Sequence, residues 1–299
     1  MNNAIALINK QVPLLDEVYK FASFTSALET NNALVRETTD AKTVQVAEIS
    51  TQGLGNYSRK TGFVDGDVTL EWKSHTFRYD RGRSFSIDAM DDLESVGLAF
   101  GYTASEFLRV QVVPEIDAVR FAEYSTNAGT KVYGKLESGD AVVTALDEAQ
   151  VTEKDKEVDI TNAKIFLTPT IYNLIKNSSK FSRPLTPSQN PNRNFGSYDN
   201  MEVIEVPQRR FYTEVELNDG VTEGQKDGGF KNAGSPINFL IVKPECVTQI
   251  TKHAKLRVFA PDVNQKADAY KIDYRIYHDA WVLNNKKDGL YAHINGSAE

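Results

Sequence analysis

Residues 42–87 carry the pattern that most restricts the fold of this chain. Apolar residues alternate with polar ones in two stretches: Val44, Val46, Val68, Leu70 and Trp72. Period-two alternation is typical of strands with one buried face, so these stretches predict a long β-hairpin across a glycine-rich break. A hairpin alone is marginally stable in water. This segment must therefore pack against another part of the chain or against a neighbouring molecule.

The β pattern continues beyond the second stretch. We expect a turn at Ser74–His75, followed by alternation through Phe77, Tyr79 and Arg81, then Phe85 and Ile87. The sequence thus predicts one β region that spans residues 42–90.

Residues 88–127 change to helical periodicity. Leu108, Val112, Ile116 and Val119 recur at spacings of four, four and three, which places them on one helix face. Asp88 or Asp91 is suited to cap the start of this helix. Pro114 has no N–H and crowds the preceding turn, so we expect it to kink the helix rather than end it. This is predicted to be the longest helix of the chain.

Residues 135–245 combine short apolar runs with helical patterns, which predicts an α/β lobe. The apolar runs predict strands at 164–167, 203–207 and 239–242. Asp140 is expected to cap one helix, and Thr168 followed by Pro169 is expected to begin another. Two stretches rich in turn residues predict surface loops at 182–198 and 218–236.

The C-terminal region has the clearest alternation. Residues 270–282 predict a long strand with one apolar and one charged face. Asp288-Gly289 is a strong turn signal, and residues 290–293 return to an apolar run. The sequence therefore predicts a C-terminal β-hairpin.

Composition argues against several classes of function. The net charge is −7 and the pI is about 5.3, so strong direct binding to nucleic acid is not favoured. No apolar run is long enough to span a bilayer, and the N-terminus lacks a secretory signal. The single cysteine, Cys246, excludes an internal disulfide and a cysteine-based metal cage and is consistent with a reducing compartment.

The chain shows no constellation that would predict catalysis. Its four histidines have no metal-ligand spacing, and His278 lies on the apolar side of a strand, as a satisfied structural histidine does. No nucleophile elbow or dinucleotide fingerprint is complete. We therefore expect no catalytic residue, no cofactor and no metal site.

Two regions of the sequence carry a resemblance to a known protein family. Asp80–Asp91 and Val112–Phe121 are similar to the end of the extended loop and to the spine helix in the family of tailed-bacteriophage major capsid proteins. Ile237–Val242 and Tyr270–His293 are similar to its C-terminal part. The resemblance implies the α+β fold of the Hong Kong 97 type, which encapsulins share.

The resemblance also implies a division of the chain. Residues 1–41 would form the N-terminal arm and 42–90 the E-loop. The P-domain would comprise 91–134 with 244–299, including the spine helix and the C-terminal hairpin, and 135–243 would form the α/β A-domain. Aromatic residues of the arm, such as Tyr19 and Phe21, are expected to pack on the same subunit or on a neighbour.

By the same resemblance, the function implied is that of a major head protein in the virion. It would assemble in the bacterial host cytoplasm as hexamers and pentamers, with a portal protein, a scaffolding protein, a possible decoration protein and packaged double-stranded DNA as partners, and no membrane. We expect intersubunit contacts at Arg78, Arg81, Arg83, Tyr19, Phe21 and Trp72. Arg81 and Arg83 are expected to matter for assembly more than for folding.

Two alternatives remain at this point. An encapsulin-like compartment would have the same fold, whereas a monomeric enzyme would need a site that the sequence does not show. Some capsid relatives are cross-linked from an E-loop lysine to a P-domain asparagine, but Lys60 or Lys73 with Asn284 or Asn285 matches that motif too weakly to predict the bond. The start of the chain near the arm implies a separate scaffolding protein or a processed form.

Overall fold

The computed structural model describes residues 23–29, 35–37, 42–90, 105–178 and 196–297. Within these ranges the chain forms three β-sheets, two of which pack against one long helix, and the predicted α+β class is confirmed. No helix in these ranges is long and apolar enough to cross a membrane.

The first sheet is the predicted hairpin. Its strands are β1 (Val35–Glu37), β2 (Thr43–Thr51) and β3 (Val68–Thr76), in the order β1-β2-β3. Strands β2 and β3 pair antiparallel over their whole length. The predicted turn at Ser74–His75 is wrong, because both residues lie inside β3.

The chain leaves the hairpin at Phe77 and Arg78 and enters a second sheet. This sheet contains β4 (Tyr79–Asp88), β11 (Val247–Phe259) and β12 (Ala269–Val282), in the order β11-β12-β4. The sequence grouped the stretch after residue 77 with the hairpin, but β4 pairs instead with the long C-terminal strand β12. The predicted alternation of β12 is confirmed from residue 272 to residue 278, where alternate residues are buried. It is wrong at Asp279, which was expected on the charged face and is fully buried.

The long helix occupies residues 105–126. It includes a π-helical turn at Leu108–Val112 and then α1 (Val113–Thr126). The helix continues through Pro114, as predicted, and its irregularity takes the form of that π turn, which offsets the missing N–H and the crowding of the proline ring. The apolar stripe predicted from Leu108 to Val119 is buried. At the start of the helical residues 89–90, Asp88 accepts a hydrogen bond from the Met90 N–H at 2.9 Å, as a cap does, whereas Asp91 lies outside the described residues.

The third sheet belongs to the α/β lobe. Its strands are β5 (Thr130–Tyr133), β6 (Lys164–Leu167), β7 (Gly196–Tyr198), β8 (Met201–Glu205), β9 (Tyr212–Leu217), β10 (Phe230–Val242) and β13 (Leu290–Ile294). The order is β5-β13-β10-β6-β8-β7, and β9 pairs with β10. Helices α2 (Gly139–Asp155) and α3 (Pro169–Lys176) pack on one face of this sheet.

Helix capping in this lobe follows one prediction and departs from another. Thr168 caps α3, as predicted, through a hydrogen bond from the Ile171 N–H. The cap of α2 is Ser138, which accepts from the Ala141 N–H, so the expected cap at Asp140 is wrong. Asp140 lies one residue inside the helix and receives a hydrogen bond from the Ser178 hydroxyl.

Strand pairing corrects two further expectations. Strand β13 pairs with β10 and with β5 rather than with β12, so the predicted C-terminal hairpin is wrong. Hairpin pairing requires that two successive strands share a sheet, and the turn at Asn284–Gly289 instead carries the chain from the second sheet to the third. Strand β10 begins at Phe230, so only residues 218–229 of the predicted loop at 218–236 lie outside strands. The predicted loop at 182–198 lies mostly outside the described residues, and its end, 196–198, is β7.

Helix α1 is shared by two hydrophobic cores. Its Phe121 and Tyr124 pack with the third sheet, and Ile116 packs with β12 of the second sheet. A third core lies beneath α2 and α3, and a small fourth core joins the hairpin to β12 through Val44, Phe77 and Trp281. The long helix therefore fixes the relative position of the two large sheets.

A buried carboxylate on this helix holds the segment that contains residues 23–28. Asp117 is fully buried and accepts hydrogen bonds from the Ser23 hydroxyl at 2.7 Å, the Phe24 N–H at 3.0 Å and the Thr25 hydroxyl at 2.8 Å. The Arg210 guanidinium lies 3.1 Å from the same carboxylate. A buried charge is tolerated only when it is paired and hydrogen-bonded, and Asp117 meets both conditions.

Replacement of Asp117 by alanine should destabilise the subunit strongly. Removal of one partner from a buried ion pair costs about 3–5 kcal/mol, because the other charge remains buried without compensation. We expect the free energy of unfolding, measured by urea denaturation of the unassembled subunit, to fall by about that amount. The matched control is Glu106→Ala, which breaks an exposed pair with Arg109. Equal losses in the two variants would contradict this account.

Candidate functional site

The distal half of the hairpin exposes apolar side chains that no core of the subunit covers. Phe63 is 87% exposed and Val68 is 72% exposed. The exposed set is Leu54, Tyr57, Phe63, Val64, Val68 and Leu70. So many exposed apolar side chains within one hairpin indicate an interaction site in a folded protein. The hairpin is therefore the first candidate for a functional surface.

The base of the hairpin is fixed by an aromatic cluster. The Phe77 ring lies 4.9 Å from the Tyr277 ring and 5.3 Å from the Trp281 ring, measured between centroids. Val44 of β2 completes this core. Aromatic pairs at such distances add specific stabilisation to the burial of their area. The hairpin therefore projects from a rigid base.

Arg78, directly after this cluster, connects the hairpin base to two other elements. Its guanidinium donates to both carboxylate oxygens of Asp279 on β12, at 2.9 and 2.8 Å, and its backbone N–H donates to the same carboxylate. It also lies 2.9 Å from the Glu123 carboxylate on α1. Hydrogen bonds to Asp279 raise the pKa of Arg78, and burial raises the pKa of Glu123. The expected contact residue Arg78 thus has a defined role inside the subunit.

Arg81 and Arg83 follow on β4 and also form contacts within the chain. Arg81 donates to both oxygens of Glu115 on α1, at 2.7 and 3.2 Å, and to the Gly229 carbonyl. Arg83 donates to the Lys226 carbonyl at 3.2 Å. These contacts give both arginines a role within the subunit as well. The expectation that they matter for assembly more than for folding stays a prediction. Charge reversal at Arg81 would disturb folding as well as assembly.

The remaining expected contact residues fall in different places. Trp72 on β3 is partly exposed, and the Arg36 guanidinium lies 5.5 Å from its ring centroid. Tyr19 and Phe21 lie outside the described residues. Lys73 forms an ion pair with Glu48 across the hairpin, so one of the two lysines considered for cross-linking is already engaged.

Loop 218–229 is drawn over β4 by the two arginines. Gly220 has φ of +75°, and a Cβ there would lie 3.1 Å from the Arg83 guanidinium. Glycine at this position therefore permits both the left-handed backbone and the close approach. Beneath the loop is a cavity of about 240 Å³. Its floor is apolar: Phe85, Phe107, Val112, Ile116, Tyr274 and Ile276.

Cys246 and His278, neither of which was expected to be catalytic, are both buried. Burial raises the pKa of Cys246 to about 11, which keeps its thiol protonated. His278 is 1% exposed and stacks on Tyr79, with ring centroids 5.8 Å apart. Within the described part of the chain its Nδ1 has no hydrogen-bond partner, so the expectation of a fully satisfied histidine is wrong for that atom. The described residues of the chain contain no cluster of three or more side chains that could hold a metal ion.

The sequence analysis did not identify the buried carboxylates Asp117 and Asp279 as important positions. Neither carried a signal of burial, because Asp117 lies between Glu115 and Arg120, and Asp279 falls on the charged side of the alternation in residues 270–282. The role of loop 218–229 as a cover for β4 had no signal either, because glycine-rich composition predicts a loop but not where it folds.

The described architecture is similar to solved structures from phages and to a virus-like particle from an archaeon, Pyrococcus furiosus. A structure from Mycobacterium phage Che8 has a TM-score of 0.58 and 11% identity, and the match covers 89% of this chain and 95% of that one. The capsid structure of cyanophage P-SCSP1u has a TM-score of 0.58 and 15% identity, over 93% of this chain and 89% of that one. A virus-like particle from Pyrococcus furiosus has a TM-score of 0.53 and 12% identity, over 94% and 95%.

These similarities place the chain in a structural class. No protein-family model and no curated protein sequence matches it. The chain has the Hong Kong 97-type fold that the sequence resemblance implied, with a projecting hairpin, a long spine helix and an α/β lobe.

Replacement of Arg78 by alanine should destabilise the hairpin base. Asp279 is fully buried, so loss of its cation leaves an uncompensated charge, and we expect the free energy of unfolding to fall by about 3–5 kcal/mol. The double variant Arg78→Ala/Asp279→Asn should recover at least about 1 kcal/mol of this loss, because a neutral amide needs no cation. Urea denaturation of the unassembled subunit measures both values. Additive losses would contradict the coupling.

His278 should make the subunit sensitive to acid. Burial, together with the nearby charges of Arg120 and Arg81, lowers its pKa from 6.5 to about 3. Between pH 6.5 and pH 3, His278 is protonated in the unfolded chain but neutral in the folded chain, and this difference favours unfolding. The stability is therefore unaffected by His278 above pH 6.5 and declines as the pH falls toward 3. The urea midpoint of His278→Gln should change less between pH 7 and pH 5 than that of the parent. Identical changes would exclude His278 as a cause.

Proposed function

We propose that this chain is the major capsid protein of a tailed bacteriophage. It assembles as hexamers and pentamers into the icosahedral head that encloses the phage DNA, and it has a structural rather than a catalytic role. The observation that carries the proposal is the exposed apolar hairpin on a Hong Kong 97-type fold.

The exposed hairpin is the physical reason for the subunit to assemble. Beyond its base it presents apolar side chains to solvent, which is a liability for a monomer. A closed symmetric assembly removes the liability, because each subunit covers the hairpin of a neighbour and no surface is left unsatisfied. Many weak contacts of this kind also add up to a stable shell without any single tight interface.

The division into domains follows from the same proposal. Residues 1–41 are assigned to the arm, 42–90 to the E-loop, 91–134 with 244–299 to the P-domain, and 135–243 to the A-domain. The pairing of β13 with β10 supports one adjustment to that division. Strand β13 shares the sheet of the α/β lobe, so its residues 290–294 act structurally with the A-domain.

The partners are proposed on the same basis: a portal protein, a scaffolding protein, a possible decoration protein and packaged double-stranded DNA. The net charge of −7 fits a shell that encloses DNA without strong electrostatic binding to its phosphates. The location would be the virion, with assembly in the host cytoplasm.

An encapsulin-like compartment is the second candidate. The similarity to the virus-like particle from Pyrococcus furiosus favours it specifically, at a lower TM-score than that of the cyanophage capsid, 0.53 against 0.58. The two candidates differ in what the shell contains and in the neighbouring genes. Portal and terminase genes would favour the phage head, and a ferritin-like or peroxidase gene would favour the compartment.

The test is assembly of the protein, expressed alone and with its neighbouring genes, followed by light scattering and negative-stain microscopy. We expect closed shells or capsomers from the parent. The contrasting variant replaces residues 52–67 with Asn-Gly, which can join β2 to β3 directly because Thr51 lies opposite Val68. This variant should remain folded, since the replaced residues lie in no core, but should not form shells.

Each outcome has a defined meaning. Particles of 33.4 kDa from the parent under every condition would overturn the capsid proposal. Normal shells from the shortened variant would show that the hairpin is not the assembly surface. Shells filled with an enzyme would select the compartment over the phage head.

A further inference from the structure

We propose that the tip of the hairpin of one copy inserts the Phe63 ring into the cavity beneath loop 218–229 of a second copy. This inference rests on the proposed function and identifies which surface of the neighbour receives the hairpin.

The tip is a preformed unit rather than a loose loop. Ser58 and Gly62 form an antiparallel β-bridge, in which each backbone N–H donates to the carbonyl of the other residue. The Ser58 hydroxyl accepts hydrogen bonds from the Lys60 and Thr61 N–H groups at 3.2 and 3.3 Å. Tyr57 and Phe63 flank this turn with their ring centroids 4.9 Å apart. The pair therefore presents an ordered aromatic projection, and its insertion would cost little conformational entropy.

The cavity has the size and lining for one aromatic side chain. Its volume of about 240 Å³ lies below the range of about 300–1,000 Å³ that is usual for small-molecule sites. A dry protein cavity of about 150 Å³ accepts a benzene ring. The apolar floor of Phe85, Phe107 and Ile116 offers an inserted ring the contacts that it lacks at the hairpin tip. An aromatic side chain of another molecule thus fits better than a free ligand.

The loop that covers the cavity, 218–229, has a net charge of −2 although it includes Lys226, and the tip turn, 57–63, has a net charge of +2. Arg59 and Lys60 lie between the two tip aromatics in the sequence, and both are exposed. Glu223 and Asp227 lie on the exposed loop that covers the cavity, and Asp227 lines it. Within the described residues none of these four charges forms an ion pair. Docking of the tip would therefore bring two cations to two carboxylates, which sets the orientation of the contact.

The two surfaces are different parts of one chain, so the contact joins tip to cavity in a head-to-tail manner. Repeated around a rotation axis, such a contact closes into a ring, as a capsomer requires. Both the tip and the cavity are open in the isolated subunit, which leaves each of them available to a second copy.

A charge exchange tests the orientation. Arg59→Glu/Lys60→Glu should raise the protein concentration needed for assembly at least about tenfold, which corresponds to about 1.4 kcal/mol. Addition of Glu223→Lys/Asp227→Lys to the same chain should restore assembly. Val263→Ser, at an exposed apolar residue on another loop, is the control and should assemble normally. Failure of the second pair of substitutions to restore assembly would overturn the proposed pairing.

A disulfide trap tests the position of the ring. Phe63→Cys combined with Gln111→Cys at the cavity wall should give covalent oligomers on a non-reducing gel after mild oxidation, whereas Phe63→Cys/Val263→Cys should not. The buried native thiol of Cys246 should not interfere. Shells without covalent oligomers would overturn the inference while leaving the proposed function intact. If the parent forms no shells or capsomers, the proposed function fails instead.

Discussion

The charge of Asp279 must be neutralised inside the subunit, and much of the architecture follows from this requirement. The carboxylate is fully buried on β12, where an ion without a partner would be strongly unfavourable. Arg78 meets the requirement from the junction between β3 and β4. Because the same arginine reaches Glu123 on the long helix, the hairpin, the second sheet and the helix meet at one guanidinium. The direction in which the hairpin projects is thus set by electrostatics as well as by the packing of Phe77.

The long helix applies the same principle along its length. Asp117 and Arg120 are almost completely buried, although the helix is otherwise apolar on its packed faces. Each charge has partners on a different element: Ser23 and Arg210 for the first, and Gln249 for the second. Burial of the apolar faces already fixes the approximate orientation of the helix. Asp117 and Arg120 need partners at fixed positions, which restricts its rotation further and helps to hold the sheets on its two sides in register.

The sequence predicted the periodic elements well and their partners poorly. The alternation at Val44–Val46 and the stripe from Leu108 to Val119 are local properties, and both structures form where the pattern placed them. The residues after Ser74 and the strand from Leu290 were assigned to hairpins because adjacent strands usually pair. Both pair elsewhere, since partner choice depends on buried groups far away in the chain. The exposed hairpin was predictable from its missing core, whereas the cavity needed the folded position of loop 218–229.

The position of β13 has a consequence for when the subunit can be completed. This strand lies between β5 and β10, so the sheet of the α/β lobe has a gap until residues 290–294 are in place. Pairings between positions so distant in the sequence form slowly and late. During translation the ribosome releases this strand after the hairpin and loop 218–229, which are the elements proposed to engage neighbours. A nascent chain would therefore expose the apolar side chains of its hairpin before the sheet of its α/β lobe is complete. Rapid pairing of β13 with β5 and β10 would then favour ordered assembly over aggregation.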